Sequence, residues 1–121
     1  MPSVKFRFEE LEIWRIAIEV ADLLLDVADE LEGKKLYRFA EQLRGAALSA
    51  PNNIAEGSGS ASKRDFTHFL NIARRSTFEN ANMLIVFDRR HLITRDRCDQ
   101  ILERLDHLSR KITAFQRTLR G

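Results

Sequence analysis

A chain of 121 residues with 31% charged side chains and one cysteine has single-domain length and can bury roughly two thirds of its unfolded surface. With Cys98 alone no intramolecular disulfide forms, which places the expected setting in a reducing cytoplasm. The longest clean apolar run, Met83 to Phe87, is far short of the about 20 residues that cross a bilayer, and no N-terminal stretch has the layout of a signal peptide, so no membrane partner is expected.

The net charge of +2 hides a segregation. Residues 1–60 hold 7 Lys/Arg against 11 Asp/Glu, and residues 61–121 hold 13 against 7. Between Glu9 and Glu32 nine carboxylates accompany a single basic residue, Arg15. A polyanion would have to avoid the first helix.

In chain order, residues 1–8, with Phe6 and Phe8, read as an extended arm over one end of a bundle. The first helix is predicted from Glu9 to Leu31, with Gly33 as its C-cap and Lys34 and Lys35 linking it to an antiparallel neighbour. Its apolar residues form two interleaved seams that cover about 200° of the helix, where one core face needs little over 100°. The surplus makes Ile13, Ala17, Val20 and Leu24 candidates for a subunit interface.

In the second helix Leu36, Ala40, Leu43, Ala47, Ala50 and Ile54 recur at alternating steps of 4 and 3, the narrow seam of bundled helices. Small residues, Gly45 included, leave room for a close neighbouring backbone. Pro51 has no amide hydrogen and its ring meets the carbonyl of Ala47. A continuous helix kinked at Pro51 is therefore predicted, since the seam resumes in register at Ile54; the alternative ends the helix at Ala50. Asn52, Asn53 and Glu56 beside the proline, with Arg44, form a polar cluster expected to satisfy backbone groups and fix packing register, with ligand binding as the alternative.

Gly57 closes that helix, and Ser62 with Asp65 caps the next, predicted from Lys63 to His91. Its seam runs Phe66, Leu70, Ala73, Thr77, Asn80, Leu84, Phe87, with Asn80 the polar intruder. On the opposite side Arg64, Asn71, Arg75, Asn82 and Arg89 fall within about 20° of one line and His68 lies about 40° from it. Cations and amides in one row can touch phosphates and base edges, so these six are the candidate nucleic-acid contacts; an ordinary solvated face is the competing reading. Phe78 and Ile85, well away from the seam, join the interface candidates. Thr94 caps a fourth helix whose seam is Ile101, Leu105, Leu108, Ile112, Phe115, Leu119. The predicted fold is all-α, a single up-down-up-down antiparallel four-helix bundle.

No chemistry-bearing constellation emerges. Asp65 with His68 and Asp88 with His91 have the spacing of a di-iron motif but stand roughly 35 Å apart on one helix, and the second pair of glutamates is missing. Gly57 to Lys63 lacks the spacing and the preceding strand of a phosphate loop. No metal, no cofactor and no catalytic residue are expected.

Taken together, Gln42, Leu43, Arg44, then Pro51, Asn52, Asn53, Ile54, Ala55, Glu56, Gly57, then Ser62, Phe66, Phe69, Leu70, Ile72, Ala73, Ser76 and Glu79, with Leu11 and Trp14, resemble the bacterial four helix bundle protein family. That family includes the proteins encoded in intervening sequences of 23S ribosomal RNA genes, and the accessory variability proteins of diversity-generating retroelements are similar. Arg75 and Asn80 depart from it, standing where glycine and leucine are usual. The resemblance implies a non-enzymatic homo-oligomer, a pentamer, with an accessory role on RNA. It admits as partners RNA, a reverse transcriptase or another protein. A homo-oligomeric scaffold without a nucleic-acid role is the alternative.

Overall fold

The computed structural model describes residues 3–120. Four helices form, α1 Glu12–Gly33, α2 Tyr37–Ser58, α3 Lys63–Arg89 and α4 Arg95–Arg120, preceded by a 3-10 helix at Arg7–Glu10. α1 packs on α2 and α4, and α3 on α2 and α4. With connections this short, that is the neighbour pattern of an up-down-up-down bundle, and no strand is present among the described residues.

Local chemistry sets the ends. The Ser62 hydroxyl accepts the Asp65 amide at 3.1 Å and the Thr94 hydroxyl accepts that of Arg97 at 3.2 Å, each satisfying one of the donors a helix start leaves open. At the end of α1 the left-handed position is held by Lys35 (φ 64°), not by Gly33, which lies inside the helix. The Leu36 amide then reaches Leu31 O at 2.9 Å, a Schellman closure. His91 (φ 60°) ends α3 in the same way, its successor Leu92 bonding Phe87 O at 2.8 Å.

The N-terminal arm is only partly extended. Residues 1 and 2 lie outside the described residues, Phe6 is extended and solvent-exposed, and Arg7 and Phe8 already belong to the 3-10 helix. Phe8 packs on Trp14 at 5.1 Å between ring centres, and Arg7 donates to Ser58 O at 3.3 Å. This turn covers the bundle end where α2 finishes.

The wide apolar arc of α1 has a different destination from the one its width suggests. Ile13, Ala17, Val20 and Leu24 are all buried inside the single chain, so these four cannot offer a surface to a second copy. Because α1 touches α2, α4 and the 3-10 helix together, three neighbours within one bundle consume the arc.

Between α2 and α3 one small residue marks the close approach. Ala40, Ala46, Ala47 and Ala50 are buried, and α2 passes unbroken through the buried Pro51. A Cβ placed on Gly57 would lie 2.8 Å from Phe69 Cβ and 3.0 Å from the Phe66 ring, whereas one on Gly45 would meet nothing within 4 Å. The close approach is thus at Gly57, not at Gly45. Helical alanine is favoured over glycine by about 1 kcal/mol. Gly45→Ala should therefore raise the unfolding free energy by about 0.5–1 kcal/mol, and Gly57→Ala should lower it by about 1–3 kcal/mol in urea denaturation.

Asn80, 1% exposed, leaves its Oδ1 without a partner among the described residues. An unsatisfied buried acceptor costs about 1–3 kcal/mol, so Asn80→Leu should stabilise the bundle by an amount of that order. A loss of stability in the same denaturation assay would show that the amide holds a bond the bundle needs.

Candidate nucleic-acid interface

The polar row read on the third helix is on the outside of the molecule. Arg64, His68, Asn71, Arg75, Asn82 and Arg89 are all exposed. At 1.5 Å per residue the row runs about 37 Å along a rod held rigid by its inner seam. Phe78 and Ile85, at 63% and 47% exposure, stand in this same row, because residues 64, 68, 71, 75, 78, 82, 85 and 89 advance by alternating steps of 4 and 3.

Charge pairing is uneven across the bundle. Five of the seven carboxylates of α1 are met from within the chain, Asp29 and Glu32 by Arg44 at 2.9 and 2.7 Å, Glu12 by Lys111 at 3.2 Å, Glu19 by Arg104 at 3.8 Å, and Glu30 by Arg97, while Asp22 and Asp26 are exposed and make no ion pair among the described residues. Arg64, Arg75 and Arg89 make no ion pair among the described residues. Their charges face solvent uncompensated, the condition under which a cation is available to a phosphate.

The bundle adds two residues that a single-helix reading misses. Between α3 and α4 runs an open groove of about 550 Å³ lined by Arg64, Thr67, His68, Asn71, Arg74, Thr113, Gln116 and Arg120, with no carboxylate among them. Gln116 is buried and donates to Thr67 O at 3.3 Å, which holds the floor. Arg74 and Arg120 come to this groove from the edge of α3 and the end of α4. The signal that finds them is the antiparallel register, in which Phe66 meets Phe115 at 5.5 Å.

At the proline the polar residues do not form the expected cluster. Arg44 turns to Asp29, Glu32 and Glu41 and reaches neither Asn53 nor Glu56. Those carboxylates, Asp29 foremost, raise the guanidinium pKa further above its ordinary value, so Arg44 is a fixed cation tying α2 to α1. Asn53 donates to Ser49 O at 2.8 Å and to Ser49 Oγ at 3.3 Å. From there Ser49 Oγ and Ser76 Oγ lie 2.6 Å apart, and Ser76 donates to Ile72 O at 2.9 Å. This relay clips α2 to α3 and leaves Asn52 and Glu56 exposed. Register fixing is carried by Asn53 through two serines, while Arg44 performs a separate task.

Elsewhere, burial pushes the Cys98 thiol pKa up, with Asp88 and Asp99 adding to it, and its Sγ lies 3.6 Å from Leu84 O in the core; a thiolate is disfavoured there. Among the described residues no three metal-binding side chains converge, and no helix is long and apolar enough to cross a membrane.

No curated protein matches the chain significantly. A crystal structure of a protein with unknown function from the S23 ribosomal protein family of Bacteroides thetaiotaomicron superposes with a TM-score of 0.81 at 21% identity, covering 86% of this chain and 97% of that one. At that identity the likeness shows a shared fold. A model of the 23S rRNA-intervening sequence protein family matches residues 9–114, from the 3-10 helix to the last turns of α4. The chain belongs to the 23S rRNA-intervening sequence protein family.

Proposed function

We propose that the protein is a non-enzymatic, homo-oligomeric accessory protein that binds RNA along the exposed face of α3. The observation that carries this reading is the row itself: Arg44 of α2 and Arg97, Arg104 and Lys111 of α4 are engaged with carboxylates of α1, while Arg64, Arg75 and Arg89 stand exposed on one face of α3 with no ion pair among the described residues. The family's link with ribosomal RNA supports RNA as the polyanion. Five-fold assembly is taken from the family resemblance, and copies arranged in a ring would repeat the row and add weak contacts by avidity. The apolar side chains exposed where α2 begins and α3 ends, Tyr37, Phe39 and Val86, would supply a surface for association.

A scaffold for a protein partner is the second reading. It is favoured by Phe78 and Ile85 standing at heptad spacing among the cations, a row an acidic amphipathic helix would fit.

RNA binding measured by fluorescence anisotropy should weaken with salt, with a slope in log affinity against log salt of about −0.7 per phosphate contact. A triple Arg64→Glu, Arg75→Glu, Arg89→Glu variant should lose binding and keep its oligomer. Disassembly of that variant would instead assign the row to contacts between subunits, and wild-type protein that binds no RNA at low salt would refute the reading.

In light scattering at micromolar concentration, the protein should exceed the 14.0 kDa of one chain. A stable monomer would remove the proposed assembly.

A further inference from the structure

We propose that the α3 face takes a single strand and uses Phe78 as a platform on which a base stacks. This rests on the RNA reading of the same face and specifies the kind of RNA.

Phe78 is 63% exposed in the middle of a polar row, and an aromatic ring in that position has no role in the bundle's own core. On its α4 side Phe78 borders Leu102, Leu105 and Asp106, and the cations and amides lie along α3. The Arg74 guanidinium lies over one face of the ring, 6.0 Å from its centre, and donates to Asn71 Oδ1 at 3.4 Å, so a base would stack on the opposite face. Arg75 precedes Phe78 by three residues and Asn82 follows it by four, so both stand one turn away on the same face. The carboxylate-free groove with Arg64 and Arg120 continues the row toward the start of α3.

A helical duplex conceals the faces of its bases and presents phosphates and sugar edges. The arginines alone would serve a duplex and a strand alike, and Phe78 would add nothing to the first. An unpaired base can lie on the ring, where stacking is sequence-tolerant because every base has a π-face. Exposed amides at Asn71 and Asn82 can meet the base edges that an unpaired strand leaves open. One straight row of side chains also matches one backbone, with phosphates in the groove and bases turned to the ring.

The test compares a uridine homopolymer with a fully paired RNA hairpin, using wild type, Phe78→Ala and Phe78→Tyr in the same anisotropy assay, with light scattering on each variant. The single strand should bind more tightly than the hairpin. Phe78→Ala should weaken the single strand about tenfold or more, leave the hairpin unaffected and preserve the salt slope, and Phe78→Tyr should restore binding. RNA binding that depends on the arginines but is equal for both RNAs, or indifferent to Phe78→Ala, overturns the single-strand proposal while the RNA reading stands. An oligomer that falls apart with Phe78→Ala places the ring at a subunit contact and overturns the platform. Wild type that binds neither RNA removes the RNA reading and this proposal with it.

Discussion

The approach of α2 to α3 governs the rest of the molecule. Gly57 sits so near Phe66 and Phe69 that a single methyl would collide with them, and buried alanines continue along α2 toward its start. That spacing lets Ser49 and Ser76 meet at 2.6 Å and fixes which side of α3 turns inward. Once Phe66, Leu70, Ala73, Leu84 and Phe87 are committed to the core, helical geometry obliges the residues half a turn away to face solvent. The exposed cationic row is thus the outward counterpart of the seam that α3 buries.

Electrostatics gives that row its character. An acidic α1 would weaken any attraction for a polyanion if its carboxylates were free, but Arg44, Arg97, Arg104 and Lys111 reach all of them except Asp22 and Asp26. Most of these pairs are partly exposed, and pairs of that kind contribute little to stability, at about 0–1 kcal/mol each. Their larger effect is on the field: they offset five of the seven carboxylates of α1, and positive charge persists along α3 and in its groove with α4.

The helices, their caps at Ser62 and Thr94 and the inward seams were legible in the sequence because each is a local or periodic property. The outward row on α3 was legible for the same reason, since one helix wheel contains it. What escaped was whatever depends on two helices at once. The two seams of α1 suggested a surface for association because a wheel cannot show that one helix has three partners within its own chain. Arg44 was assigned to the proline region by proximity in sequence, whereas two of its three carboxylates, Asp29 and Glu32, stand on α1. Arg74 and Arg120 carried no signal of their own until the antiparallel register brought α4 alongside α3. Left-handed ends at Lys35 and His91 were hidden as well, because glycine is the usual sign of that conformation and neither residue is one.

The central claim is that RNA is held on the outer face of α3 and nowhere on α1. Ultraviolet cross-linking of bound uridine homopolymer, followed by mass spectrometry of the digested protein, tests it most directly. Cross-linked nucleotides should lie on peptides that span Arg64 to Arg89, with Phe78 among the modified residues and the α1 peptides free of label. Cross-links concentrated on α1 or on the exposed side of α2, with the α3 peptides unlabelled, would contradict the account.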